Sequence, residues 1–239
     1  MSKLFPIVIL AGGLATRLGA LSQTTPKSLI LVHGEPFIAY QLRLLKSQGF
    51  EKVVLCIGHL GDLIKKYVKD GKQFGLSVTY SEDGAHLIGT AGAICNALPL
   101  LEENFFVLYG DSYLMIDYKK IQKIFQQQNK AALMTILKNN DKGDSSNIEF
   151  INNEIIKYDK QNKTIDMQYI DFGLSVFRKY TFINYDSFYN LADLYQKLLI
   201  DKQLASYEVF QVFYEIGSIK GLNEFKNFIK RENALCPII

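Results

Sequence analysis

The chain has 239 residues, 48% of them hydrophobic and 21% charged, with a net charge of +3. That balance suits a buried core and excludes both a disordered polyelectrolyte and a broadly basic nucleic-acid binder. Its apolar runs stay well short of the ~20 residues that span a bilayer, which argues against a membrane partner.

The chain opens with a lysine and a short apolar stretch that runs straight into a pair of glycines. Ile7 to Leu10 therefore reads as a first buried strand and not as a cleaved leader. At Leu10-Ala11-Gly12-Gly13 the backbone can pass close to a ligand and present its N–H groups as a phosphate cradle. Arg17 follows, and then Lys27 behind Pro26. A glycine cradle with two cations suits a triphosphate, whose charge must be neutralised at several oxygens at once. The spacing matches neither the dinucleotide fingerprint nor the P-loop.

Pro36 to Gln48 carries apolar residues at helical spacing and stops at Gly49. Lys52 to Ile57 reads as a strand, Asp62 to Lys69 as an amphipathic helix and Ser77 to Tyr80 as a strand. This alternation predicts a mostly parallel Rossmann-like α/β sheet flanked by helices, with ligands beyond the carboxyl ends of its strands. A second glycine turn, Leu87 to Ala93, leads into a helix through Leu98. It can be a backbone surface for a base or ribose, or a helix N-terminus with small residues for close packing. Phe105 to Tyr109 is an apolar strand ending in Gly110-Asp111, where a carboxylate can hold a hard cation beside phosphates or cap the next segment.

From Tyr118 the pattern changes. A helix to Gln128 and a strand from Ala131 to Leu137 precede a polar stretch, Lys138 to Ser146. Short strands at Asn147–Ile151, Ile155–Tyr158 and Ile170–Phe177 suggest a small appended mixed sheet forming the second wall of a cleft. A helix at Asn190–Ile200, one strand from Tyr207 to Tyr214 and a helix from Leu222 to Arg231 complete the chain, with a tail from Ala234. We read a single domain in two parts, about 1–117 and about 118–239, the first carrying the triphosphate cradle. Tyr185, Tyr189 and Tyr195 read as packing residues, not as a sugar platform. Cys56, Cys95 and Cys236 are too scattered for a disulfide framework and point to the cytoplasm. His33, His59 and His86 form no zinc pattern.

Gly12-Gly13-Leu14-Ala15-Thr16-Arg17-Leu18 followed by Pro26-Lys27 resembles the signature loop of the sugar-1-phosphate nucleotidylyltransferases, with Ala15 where that family usually has glycine. Gly89-Thr90-Ala91-Gly92-Ala93, Gly110-Asp111 and Tyr214-Glu215-Ile216-Gly217-Ser218 resemble its later motifs, Glu215 replacing a metal-binding aspartate. In motif style the chain is most similar to the short heptose- and mannose-1-phosphate guanylyltransferase-like branch. The resemblance implies in-line attack of a sugar-1-phosphate on the α-phosphorus of a nucleoside triphosphate, giving an NDP-sugar and pyrophosphate. GTP is the first expectation and UTP the second. It implies catalytic roles for Arg17, Lys27 and Asp111, and Mg²⁺ as cofactor on Asp111 and Glu215. Leu10, Ala11, Gly12, Gly13, Gly89 and Thr90 would bind nucleotide; Asn147, Lys160, Asp171 and Gly173 would bind sugar phosphate. For Asp171, ordering of its own loop is the alternative. Cytidylyl transfer to phosphocholine or a polyol phosphate, and a non-catalytic nucleotide-sugar sensor, are the other readings. A D-x-D glycosyltransferase is disfavoured by Tyr113. Neither the sugar nor the oligomeric state can be read from these residues.

Overall fold

A computed structural model describes residues 3–13, 24–84, 88–139, 145–183 and 190–235. In chain order, the first half comprises β1 (Ile7–Leu10), β2 (Leu31–Val32), β3 (Glu35–Pro36), α1 (Phe37–Gln48), β4 (Lys52–Ile57), α2 (Gly61–Val68), β5 (Ser77–Glu82), α3 (Gly89–Ala97), β6 (Asn104–Tyr109) and β7 (Ser112–Leu114). The second half comprises α4 (Tyr118–Gln128), β8 (Ala132–Lys138), β9 (Ile148–Ile151), β10 (Glu154–Tyr158), β11 (Tyr169–Arg178), α5 (Leu191–Ile200), β12 (Leu204–Val209), β13 (Phe213–Glu215) and α6 (Ile219–Leu235).

Among the described residues, nine strands share one sheet. Its first half, β5-β4-β1-β6, is parallel throughout, with Ile7 opposite both Val53 and Phe106. The appended strands join this sheet edge-on through β11, which runs antiparallel to β6 on one side and to β8 on the other. Both walls of the cleft thus hang from one continuous framework.

Period-2 alternation along β1 explains the layering. Ile7 and Ile9 point into a core with α1, α2 and α4, while Val8 points into a second core with α3 and α5. A strand buried on both faces must be apolar at every position, which is why IVIL reads as an unbroken run. A third cluster packs α6 through Leu222, Phe225 and Phe228 onto Phe37, Val32 and Ile216. Gly49 ends α1 at φ +97, a left-handed position that glycine occupies without strain.

One expected strand is two. Tyr207 to Tyr214 divides into β12, which pairs with β8, and β13, which pairs with β7 in a separate ribbon. Phe210 and Val212, between them, are 80% and 67% exposed, so the apolar letters there mark a turn on the surface and not a buried segment. The last helix also starts earlier than expected, at Ile219, directly after the Glu215 turn.

Candidate active site

The parallel strands β1, β4, β5 and β6 all end on the same edge of the sheet, and a cavity of about 1040 Å³ opens there. Leu10, Ala11, Gly12 and Gly13 line it from β1, and Gly89 and Thr90 from the start of α3. The glycine at position 12 is a requirement of close approach. A Cβ there would lie 2.9 Å from Asp83 Oδ2 and 3.1 Å from the Gly58 nitrogen. Gly110 is equally confined, since a Cβ would overlap the Leu10 carbonyl, to which the Gly110 N–H donates at 3.1 Å.

At the mouth of this cradle Lys27 Nζ donates to Asp111 Oδ2 at 2.8 Å, the two side chains 21% and 22% exposed. Asp111 precedes β7, whose first residue, Ser112, lies opposite Glu215 in the β7–β13 ribbon. The buried amide of Gln41 on α1 donates to the Ser112 carbonyl at 2.7 Å and fixes this end of the ribbon. The ribbon brings the two carboxylates together. A Cβ built on Gly217 would lie 2.7 Å from Glu215 Oε2, 2.8 Å from Asp111 Oδ2 and 3.4 Å from Lys27 Nζ. Glu215 is also bound locally, accepting from the Gly217 N–H and from Ser218 Oγ, the latter at 2.6 Å, while each carboxylate oxygen retains a further lone pair. Two carboxylates meeting at one point form a donor set that a hard cation takes together with phosphate oxygens and water.

The opposite wall is built by the loop after β10 and the first turn of α5. Asp159 to Asn162 and Asn190 to Asp193 line the cavity, with Gln196 one turn further along. Lys160 lies on this wall, as the sequence led us to expect, but Asn147, Asp171 and Gly173 stand behind it. Asp171 is 3% exposed and accepts from Tyr109 Oη at 2.6 Å and from the Gly173 N–H at 2.9 Å. Asn147 Oδ1 faces the Asp171 N–H at 3.4 Å. The direct sugar contact expected of Asp171 is therefore not presented by this geometry, and Tyr109 holds the cavity face in its place. Arg17, Leu87, His86, Tyr185, Tyr189 and Cys236 lie outside the described residues. Tyr195 is buried, with its hydroxyl 2.7 Å from Ser175 Oγ, as expected of a packing residue.

Two features of the site escape sequence reasoning. Asp83 follows β5 and stands against Gly12 and Gly58 on the cavity wall. Burial pushes its carboxyl up to about 6, and among the described residues Oδ1 has no hydrogen-bond donor. The signal was its place directly after a strand end, hidden because the apolar alternation stops at Tyr80 and the strand continues to Glu82. Thr90 Oγ1 accepts from the Leu191 N–H at 2.8 Å, joining the start of α3 to the start of α5 across the cleft. Its hydroxyl thus has a structural task alongside the expected place at the nucleotide.

A confined glycine turn, a lysine and paired carboxylates at the carboxyl edge of a parallel sheet are now in place. The profile of the nucleotidyl transferase family matches residues 7–232. The chain belongs to that family. Among curated relatives it is 27% identical over 208 residues to D-glycero-alpha-D-manno-heptose 1-phosphate guanylyltransferase of Campylobacter jejuni, covering 87% of this chain and 86% of the relative. A stretch of 112 residues, 46% of this chain, is 40% identical to N-acetylmuramate alpha-1-phosphate uridylyltransferase of Neisseria meningitidis and covers 48% of it. Among solved structures, HddC from Yersinia pseudotuberculosis complexed with GMP-PN aligns with a TM-score of 0.77 at 21% identity, covering 95% of this chain and 100% of that one. The inositol-1-phosphate CTP transferase from T. maritima aligns with a TM-score of 0.80 at 21% identity, over 97% of both chains. These two likenesses establish the α/β fold, with a mostly parallel mixed sheet flanked by helices.

Proposed function

We propose that this nucleotidyltransferase joins GTP to a hexose- or heptose-1-phosphate, releasing pyrophosphate. The observation that carries the reaction type is the convergence of Lys27, Asp111 and Glu215 at the mouth of the Gly12-Gly13 cradle. Two anions must be brought together before they react, so the chief barrier is mutual repulsion, which fixed cations and alignment lower. Lys27 neutralises the α-phosphate and the incoming sugar phosphate, and Arg17, from its place in the sequence, the departing β- and γ-phosphates. The attacking phosphate oxygen is already ionised at pH 7. It adds to the α-phosphorus as the bond to the β-phosphate breaks, and no general base is needed. Asp111 and Glu215 fit Mg²⁺, which when bound would withdraw charge from the phosphate oxygens.

The base reading rests on Asp83. Guanine presents N1–H and N2–H on one edge, donors that suit a carboxylate on the cavity wall. Uracil offers a single N3–H flanked by carbonyl oxygens that a carboxylate repels. The cavity is at the upper end of the range for one small-molecule site and has room for two substrates side by side. A relative that acts on heptose 1-phosphate over most of this chain's length supports the sugar class.

The deciding assay is pyrophosphate release on a grid of four triphosphates against hexose, heptose and N-acetylated sugar-1-phosphates. We expect turnover with GTP ahead of UTP and with a narrow set of sugars. Preference for phosphocholine or a polyol phosphate over every sugar would overturn the acceptor class.

A further inference from the structure

The sugar-phosphate end of the cleft contains a carboxylate that does not face the cavity. Asp171 is 3% exposed, and a bulge in β11 between Asp171 and Ser175, with Gly173 at φ +91, turns it inward. Its Oδ2 accepts the Tyr109 phenol proton at 2.6 Å and lies 3.9 Å from Lys160 Nζ. The Lys160 ammonium in turn sits 5.5 Å from the centre of the Tyr109 ring and 5.9 Å from that of Tyr158. Tyr109 and Lys160 do line the cavity.

We propose that Asp171 is a positioning residue that acts on substrate only through Tyr109 and Lys160, with Tyr109 Oη as the acceptor for a sugar hydroxyl. A hydrogen bond to a carboxylate is charge-assisted, so the phenol proton is committed to Asp171. The phenol oxygen then offers the cavity lone pairs alone, and only a donor satisfies it. A sugar with its hydroxyl at this point is bound; one lacking it leaves a buried acceptor unpaired and is discriminated against. Lys160 has a flexible four-carbon stem, and the carboxylate and two aromatic faces hold its charge at the phosphate end before substrate arrives. The energetic advantage is preorganisation, since the wall does not have to rearrange during binding.

The inference rests on the sugar-phosphate reading and is tested with Asp171→Asn, Tyr109→Phe and the double variant. Steady-state rates are measured with GTP and D-glycero-α-D-manno-heptose 1-phosphate. In Asp171→Asn one amide acceptor must serve two donors, Tyr109 Oη–H and Gly173 N–H, so one bond is lost. Each single variant should raise KM for the sugar phosphate about tenfold, with kcat and KM for GTP nearly unchanged. The double variant should fall well short of the product of the two single effects, because without Tyr109 Oη only the 3.9 Å approach to Lys160 is left for Asp171 to act through. Multiplying effects would show that Asp171 meets substrate independently, and a KM within about twofold of wild type in Asp171→Asn would show that it positions nothing. If Tyr109→Phe fails to fold, Asp171→Asn alone carries the test, and a sugar-phosphate KM within about twofold of wild type refutes the proposal. A wild-type protein inactive with every sugar phosphate removes the functional reading and this inference with it. An active wild type with unmoved variants removes only the positioning role.

Discussion

Asp83→Asn is expected to make the protein more stable and less selective. The carboxyl titrates near 6 in the folded chain against an ordinary value of 3.8, because burial penalises its charge. At 1.36 kcal/mol per decade this bounds the penalty at about 3 kcal/mol. The side chain is half-buried, so solvent screening reduces that to about 1–2 kcal/mol. The folded state binds the proton more tightly than the unfolded one. The penalty is therefore absent below pH 4, grows between pH 4 and 6 and is complete above pH 6. Asparagine carries no charge to penalise, so at pH 7.5 its Tm should rise by about 3–6 °C. The difference from wild type should shrink as pH falls from 7 to 4. Loss of the charge-assisted contact to guanine should lower kcat/KM for GTP by roughly 10- to 150-fold, with a smaller effect on UTP. Calorimetric scans across pH, together with GTP and UTP kinetics, read both effects. A Tm at pH 7.5 equal to or below wild type would refute the burial argument, and an unchanged GTP preference would refute the assignment of the base.

Asp111→Asn should abolish turnover and remove any rise in Tm produced by millimolar Mg²⁺; persistence of both would exclude Asp111 as the ligand. Glu215→Gln should raise the Mg²⁺ concentration giving half-maximal rate, and an unchanged requirement would leave Glu215 with only its contacts to Gly217 and Ser218. Lys27→Ala should lower kcat/KM by ~10²–10³-fold, the scale of one preorganised charge-stabilising group. It also leaves Asp111 and Glu215 facing one another without their cation, so Mg²⁺ should raise its Tm more than that of wild type, as a thermal-shift series would show.

Most of the framework is legible in the letters. Unbroken β-branched runs such as IVIL and KVVLCI leave a strand little choice but burial on both faces, and helical spacing after Pro36 ends at a glycine. The glycine turn and Asp111 are legible too, because each sits at a strand end or just after it, whereas Lys27 begins a short 3-10 turn and is legible only from its place behind Pro26. The split between β12 and β13 is not. Phe210 and Val212 have the composition of a strand, and only the partners available on each side reveal that the chain changes sheets there.

The sequence by itself determined which side chains the site has to work with, since local periodicity sets which strand ends face the cleft. Tertiary structure decided which of them meet. Glu215 reaches Asp111 through a two-strand ribbon joining segments about a hundred residues apart, and Asp171 is withdrawn behind Tyr109 by a bulge at Gly173. Asp83 acquires its raised carboxyl only because Gly12 and Gly58 close over it. Desolvation and long-range pairing depend on what packs against a residue, and no local pattern encodes that neighbour.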